Sequence, residues 1–163
     1  MIADLVLRDG YDSNGFNIVR EISCGGFPTI NNAILLKSKT GAPESYTVAK
    51  GHMQILPSGF IETPLECATR EIYEELNLDE LHQTLTPNGF ECYLRQELEF
   101  ARSKEHAFKT VILKGFELNR IPSNLSQTPD KHIELLSFSD CIKYAQAEIL
   151  PHILQYEKFL QQK

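Results

Sequence analysis

Three glutamates between residues 71 and 75 could hold a divalent metal ion against phosphate groups. On an α-helix over residues 64–76, Glu71, Glu74 and Glu75 fall within an arc of about 100°. Two carboxylates about 6 Å apart repel each other by roughly 3 kcal/mol at an effective dielectric near 20. Because Mg²⁺ and Mn²⁺ prefer carboxylate oxygen and keep water molecules that phosphates can replace, such an ion would remove the repulsion. The alternative is a solvated acidic helix face with no site.

The helix that carries these glutamates has well-defined predicted ends. Thr63 and Glu66 form a capping box, and Pro64 occupies the first helical position. The helix is expected to end near residue 76, where Asn77 takes the left-handed conformation. The apolar stripe expected to face a sheet consists of Leu65, Ala68, Ile72 and Leu76. Because Glu75 lies closest to this stripe, we expect it to be the most buried of the three glutamates.

Residues 56–62 and 70–78 together resemble the Nudix box of the Nudix hydrolases. The family pattern is Gly-x5-Glu-x7-Arg-Glu-U-x-Glu-Glu-x-Gly-U, in which U is an aliphatic residue. From Arg70 onward the sequence matches every position except Asn77, which replaces glycine with another residue that tolerates the left-handed conformation.

The first half of the pattern can be aligned in two ways. If Glu62 is the first glutamate of the pattern, its glycine position falls on Leu56. The more natural alignment matches residues 57–62 to the family's Pro-Gly-Gly-x-U-Glu, with Ser58 replacing a glycine. About three residues, including the pattern's first glutamate, are then missing before Thr63. This alignment predicts a shortened loop.

The resemblance implies a fold, an activity and a cofactor. The fold would be α/β, a Nudix-type α/β/α sandwich with a mixed β-sheet. The activity would be hydrolysis of a diphosphate linkage in a nucleoside diphosphate joined to another group, and the cofactor would be Mg²⁺, or else Mn²⁺. The alternative is a non-catalytic Nudix-fold module that senses a nucleotide or binds a protein.

The resemblance also implies residue roles. The metal ligands would be Glu71, Glu74 and Glu75 with the carbonyl of Gly59, and the catalytic glutamates would be Glu74, Glu75 and Glu134. Asp130 is a second candidate for the place of Glu134, which could instead be an ordinary residue at a strand edge. Arg70 and Glu62 would be structural.

Substrate contacts are predicted outside the box. Lys50 and Arg95 could meet phosphate, and Tyr93 lies near where diadenosine polyphosphate hydrolases carry a tyrosine. For each of these residues the alternative is an ordinary surface or packing role. The expected substrate is a small nucleotide whose second group the sequence does not specify.

The elements that must position these residues are mostly strands. Strand-like runs occur at 2–7, 16–20, 32–37, 45–49, 52–56, 91–100, 107–117 and 133–137. Residues 102–106 could join the two long strands as a hairpin, and residues 119–132 form a loop. Residues 139–162 are helical, and Pro151 breaks or kinks this stretch or else starts a second helix.

Composition excludes several classes of protein. The 163 residues suit a single domain over 1–163, and 42% hydrophobic content is ordinary for a globular protein. A net charge of -6 argues against a nucleic acid polymer as partner. Neither a membrane span nor an export signal is visible, so we expect a cytoplasmic protein, and a homodimer is common in the family. The four cysteines, expected to be reduced and buried in the core, are Cys24, Cys67, Cys92 and Cys141.

Overall fold

A mixed β-sheet carries one helix on one face and two helices on the other. The computed structural model describes residues 3–98, 105–123, 125, 127–128 and 131–162. The strands within these ranges are β1 (Ala3–Asp4), β2 (Val6–Tyr11), β3 (Asn17–Ile30), β4 (Ala33–Ser38), β5 (Ala49–His52), β6 (Gln54–Ile55), β7 (Leu85–Leu98), β8 (Glu105–Leu118), β9 (Gln127–Thr128) and β10 (Lys131–Ser137). The helices are α1 (Pro64–Glu75), α2 (Phe138–Tyr144) and α3 (Leu150–Gln161).

The main sheet has the strand order β7-β8-β3-β4-β10-β9. Strand β3 runs parallel to β8 over thirteen paired positions, whereas β7 with β8 and β4 with β10 are antiparallel. Strands β2 and β5 also pair with β3, and β1 pairs with β6 in a separate two-stranded sheet. The long strand β3 therefore joins the two halves of the sheet.

Each face of the sheet has its own hydrophobic core. Helix α1 buries Cys67, Ala68 and Ile72 against the face that carries Leu35 and Ile133. Helices α2 and α3 cover the opposite face, whose largest buried side chains are Phe27, Tyr46 and Tyr156. The predicted α/β/α sandwich with a mixed sheet is confirmed. The prediction for the four cysteines is also confirmed, since all are free and buried.

Strand β3 is the element that the sequence predicts least well. The prediction covers residues 16–20, but the strand continues to Ile30 through Gly25 and Gly26. Added β-carbons at these two glycines would overlap the backbone oxygens of Ala49 and Lys114. The glycines thus permit the close approach of neighbouring strands, and they are not turn residues here.

Some predictions concern residues outside the described ranges. They include Asp130, residues 99–100 of the predicted strand 91–100, and residues 102–104 of the predicted hairpin linker. A second helix at Pro151, one of the two predicted outcomes, is confirmed, because α2 ends at Tyr144 and Pro151 lies in the first turn of α3. Among the described residues, no helix is both long and apolar enough to cross a membrane.

Candidate active site

The ends of α1 fix where its glutamates project. The Thr63 hydroxyl accepts a hydrogen bond from the Glu66 amide at 3.1 Å, and the Glu66 carboxylate accepts one from the Thr63 amide at 3.1 Å. Leu76 caps the other end, and Asn77 follows with a φ of 51°. The predicted capping box, Pro64 start and left-handed end are all present, so the helix is fixed largely by local sequence.

Arg70 ties the helix to the segment that precedes it. Its Nε donates to Glu62 Oε2 at 2.7 Å and its Nη2 to Glu62 Oε1 at 2.9 Å. Nη2 also donates to the carbonyl of His52 at 3.1 Å. Nη1 donates to Glu71 at 2.7 Å and to Glu74 at 3.3 Å. One guanidinium thus contacts three carboxylates, and the bidentate pair with buried Glu62 is the strongest of these contacts.

Glu71, rather than Glu75, is the most buried of the three glutamates. Its exposure is 8%, and burial raises the pKa of its carboxyl group, with Arg70 opposing and Glu74 and Glu75 adding to the increase. The expectation for Glu75 was wrong because it used only the angle around the helix. Glu75 lies in the last turn, where its side chain borders an open pocket and accepts from Lys37 Nζ at 2.7 Å. Leu65 in the first turn is likewise 39% exposed instead of packed on the sheet.

The backbone of Gly51 packs directly against the side chain of Glu71. A β-carbon at Gly51 would overlap the carboxylate of Glu71, so only glycine leaves room for that side chain. The Gly51 carbonyl also accepts from Cys67 Sγ at 3.5 Å. Ten residues, 52–61, separate Gly51 from Glu62, compared with five in the family pattern. Gly51 lies five residues before Leu56, the glycine position of the pattern when Glu62 is its first glutamate, so the pattern alone does not indicate Gly51.

The structure favours a different alignment from the one preferred on sequence. Glu62 stands eight residues before Arg70 and forms a bidentate pair with it, so it fits the pattern's first glutamate. Gly59 lies instead in an exposed turn, in which its amide donates to the Leu56 carbonyl at 2.9 Å. No contact in the described part of the chain joins Gly59 to the glutamates. With Glu62 in that place, no residue of the pattern is missing between it and Arg70, and the predicted shortening of the loop before Thr63 is not supported.

The whole fold is similar to solved structures. No protein-family model and no curated protein matches the sequence. The Ap4A hydrolase of C. elegans is 23% identical, with 88% of this chain and 98% of that chain covered and a TM-score of 0.53. A NUDIX hydrolase from Nitrosomonas europaea is 9% identical, with 87% and 90% covered and a TM-score of 0.56. The NUDIX domain of Shewanella oneidensis NrtR, complexed with ADP ribose, is 12% identical, with 86% and 87% covered and a TM-score of 0.53. The chain has the Nudix fold.

In this Nudix fold, Glu134 lies away from the glutamates of α1. Successive residues of a strand point to opposite faces of a sheet. Ile133 and Leu135 belong to the face that α1 covers, whereas Glu134 pairs with Leu36 of the opposite face. There, burial and the carboxylate of Glu134 raise the pKa of Tyr46 to about 12. The structure therefore does not bring Glu134 to the predicted catalytic group.

The three predicted substrate contacts do not form one site. Lys50 alternates with Ala49 and Gly51, which face α1, so Lys50 points to the other side of the sheet. Burial and the neighbouring Lys109 lower the pKa of Lys50. Tyr93 and Arg95 alternate with Cys92 and Leu94, which belong to the core beneath α2 and α3, so they lie on the sheet face opposite to that of Lys50, on the outermost strand β7. Both are exposed, and the Tyr93 hydroxyl donates to Glu91 at 2.5 Å.

The donors at α1 suit a hard divalent cation, although they are not assembled around one point. No three His, Cys, Asp or Glu side chains among the described residues are arranged to hold a metal ion. Glu71 and Glu74 contact Arg70, and Glu75 contacts Lys37. The carboxylates still suit such an ion, because the charges of Glu74 and Glu75 repel that of Glu71 and a cation would offset this repulsion. Gly51 has no side chain, which leaves room for the Glu71 carboxylate. Metal binding would require the glutamates to exchange these cationic partners for the ion.

Proposed function

We propose that this chain is a metal-dependent hydrolase that cleaves a diphosphate linkage in a nucleoside diphosphate derivative. The observation that carries the proposal is the set of three glutamates on α1, with Glu71 buried over the Gly51 backbone. The fold supports it, because similar solved structures are an Ap4A hydrolase and a NUDIX hydrolase, and another holds ADP ribose.

In this proposal Glu71, Glu74 and Glu75 would hold Mg²⁺, with Mn²⁺ as a substitute. The bound ion would offset negative charge on the phosphate oxygens as the linkage breaks. Glu71 would be fixed by Gly51 beneath it, and Arg70 would hold the helix to the preceding segment through Glu62.

The same geometry suggests which glutamate accepts a proton. The Glu74 side chain is 60% exposed, so a water molecule can reach its carboxylate. Glu75 is partly buried and held by Lys37, and Glu134 faces the other side of the sheet. We assign the general base to Glu74, which would orient the attacking water and accept its proton.

A nucleotide panel tests the proposal. The protein is incubated with nucleoside triphosphates, dinucleoside polyphosphates and nucleoside diphosphate sugars, each with Mg²⁺ or Mn²⁺, and the released nucleotide or phosphate is quantified. Glu74→Gln and Glu75→Gln should each reduce kcat by at least about 100-fold. Glu80→Gln is the matched control, since Glu80 is an exposed glutamate just beyond α1. Full activity in both site variants would rule out the mechanism.

A second candidate function is a nucleotide-sensing or protein-binding module without turnover. The observation that favours it is the pairing of all three glutamates with Arg70 or Lys37. Calorimetry separates the two functions. A nucleotide that binds equally well with Mg²⁺ and with a chelator, and that yields no product on long incubation, would indicate the module. Binding that needs the metal, followed by product release, would indicate the enzyme.

A further inference from the structure

Strand β7 forms an open edge of the main sheet. It is the last strand on its side, and within the described residues β8 alone pairs with it. The register of β7 against β8 shifts between Pro87 and Glu91 and is then continuous from Glu91 to Leu98. The outward-facing amides and carbonyls of this regular run are therefore available to another strand.

Helix α3 packs inward of this edge. Tyr156 of α3 stacks on Phe27 of β3, with ring centroids 5.2 Å apart, and β3 is two strands in from β7. Phe159 of α3 contacts Phe90, at the start of the regular run, also at 5.2 Å between ring centroids. On the face of β7 opposite α3, Tyr93 is 59% exposed. A second strand can therefore align with β7 without displacing the helix.

Three side chains on that exposed face have a symmetric arrangement. Glu91, Tyr93 and Arg95 alternate along the strand, so they form one row with the tyrosine at its centre. Glu91 accepts from Lys114 Nζ at 2.7 Å and from the Tyr93 hydroxyl at 2.5 Å. Arg95 is exposed and forms no ion pair with any side chain that the structure describes. The row thus has an acidic residue at one end and an arginine without an acidic partner at the other.

We propose that two copies of this chain associate through their β7 strands, antiparallel and side by side, and form one continuous sheet. A two-fold axis at Tyr93 places Glu91 opposite Arg95 of the second copy, and Arg95 opposite Glu91 of the second copy. The two tyrosines then face each other across the axis. The proposal is independent of the proposed function, and it specifies the surface through which a homodimer forms.

Charge selects this register among the antiparallel alternatives. Pairing centred on Glu91 or on Arg95 would place like charges opposite each other, which is destabilising in a sheet. Pairing centred on Tyr93 makes two Glu–Arg pairs and one aromatic pair, and tyrosine and arginine are enriched at protein interfaces. On the other face, the same register places Cys92 opposite Leu94 of the second copy, so apolar side chains adjoin there. Arg95 gains in the dimer the acidic partner that it lacks in one chain.

Sedimentation equilibrium of the full chain tests the association. The average mass should rise towards that of a dimer with concentration and fall on dilution, since one strand pair is a small interface. Glu91→Arg and Arg95→Glu should each weaken the dimer at least about tenfold, because each places like charges opposite each other twice. Glu91→Arg/Arg95→Glu restores opposite charges and should recover much of the affinity. Glu80→Arg, an exposed reversal outside β7, is the matched control and should change nothing.

A wild type that stays monomeric at every concentration would overturn the proposal. A double variant as weak as the two single variants would overturn it as well, because the swapped charges remain complementary in the proposed register. Circular dichroism verifies that all variants are folded.

Cysteine cross-linking locates the axis. In the proposed register the Cα atom of residue 93 lies about 4.5–5.5 Å from that of its own copy, within the range that a disulfide bridges. Residue 95 lies four positions from its own copy along the strand, about 13 Å, which is too far. Because the native cysteines are buried, Tyr93→Cys should give a disulfide-linked dimer under mild oxidation, and Arg95→Cys should not. Equal cross-linking of both variants, or none in either, would show that β7 is not the interface.

Discussion

At the scale of single residues, Gly51 is the position where a small change should have a large effect. An added methyl group would overlap the Glu71 carboxylate and push it from its place. We predict that Gly51→Ala costs about 1–3 kcal/mol in the free energy of unfolding, as overpacking usually does. Hydrolase activity should fall with it, because Glu71 can no longer adopt its position. Chemical denaturation and a kinetic assay measure the two effects.

Gly59→Ala is the control for that prediction. Gly59 has a φ of 88° with open space around it, so alanine there should cost about 1 kcal/mol of backbone strain. It should leave kcat/KM unchanged, since Gly59 does not adjoin the glutamates. If Gly59→Ala lost activity and Gly51→Ala kept it, Gly59 rather than Gly51 would belong to the site.

The pair of Glu62 with Arg70 is a second residue-scale case. Glu62 is buried, and removing Arg70 would leave its carboxylate without a cationic partner. We predict that Arg70→Met destabilises the protein by about 3 kcal/mol, and that Glu62→Gln/Arg70→Met costs less than the sum of the two single changes. A double-mutant cycle in urea measures the coupling. Additive effects would show that the pair contributes little.

The pair of Glu62 with Arg70 should also make the stability of the protein depend on pH. Burial alone would raise the pKa of Glu62, but the hydrogen bonds and charge of Arg70, together with the hydrogen bonds of the Gln54 amide and of Cys67, outweigh it, so the pKa is lowered. A lowered folded-state pKa means that the stabilisation is present above the usual glutamate pKa of about 4.3 and is lost as the pH falls below it. Glu62→Gln should therefore flatten the acid side of the stability profile. An unchanged profile would contradict this assignment.

At the scale of elements, helix α1 should depend on its cap. Thr63→Ala removes the acceptor for the Glu66 amide and should cost about 1 kcal/mol, which lowers Tm by roughly 2–4 °C. Thr63→Ser keeps the hydroxyl and should restore most of the loss. Thr84→Ala is a control at an exposed threonine that contacts Asn119 through its own backbone amide and carbonyl, which alanine keeps. Calorimetry distinguishes the three variants.

The sequence predicts elements well where their signals are local. Helix α1 was predictable because its cap, its first proline and its left-handed end lie within one short segment. Strand β3 was predicted only over residues 16–20, because glycine is a poor strand former and the strands that Gly25 and Gly26 accommodate lie elsewhere in the chain. The same distinction between local and distant signals applies to the residues of the site. The three glutamates follow from helical spacing, whereas the contact of Gly51 with Glu71 depends on the pairing of β5 with β3.

The alternation of side chains between the two faces of a strand explains the error at Glu134. Its strand was predicted at 133–137 and found at Lys131–Ser137, but the sequence did not show which side α1 would cover. Glu134 lies between Ile133 and Leu135, which pack towards α1, and so it faces away. The sheet face that α1 covers decides whether Glu134 points towards the helix, and the sequence of one strand does not specify that face.

At the scale of the whole molecule, charge is distributed unevenly. The chain has a net charge of -6, whereas the charged residues that line the pocket at the C-terminal end of α1 are Lys37, Lys39, Lys131 and Glu75. A single domain over residues 1–163, a homodimer and a cytoplasmic location stay predictions.

Metal binding should be detectable as stability of the whole molecule. An ion that binds the folded state alone stabilises it by about 2.7 kcal/mol at a concentration 100 times its Kd. We predict that Mg²⁺ or Mn²⁺ raises Tm by several degrees, and that Glu74→Gln/Glu75→Gln abolishes most of this rise while Glu80→Gln retains it. The rise should be smaller than for a preassembled site, because the ion must displace Arg70 and Lys37 from their glutamates. A Tm that does not respond to either metal in the wild type would instead indicate an acidic surface helix without a metal site.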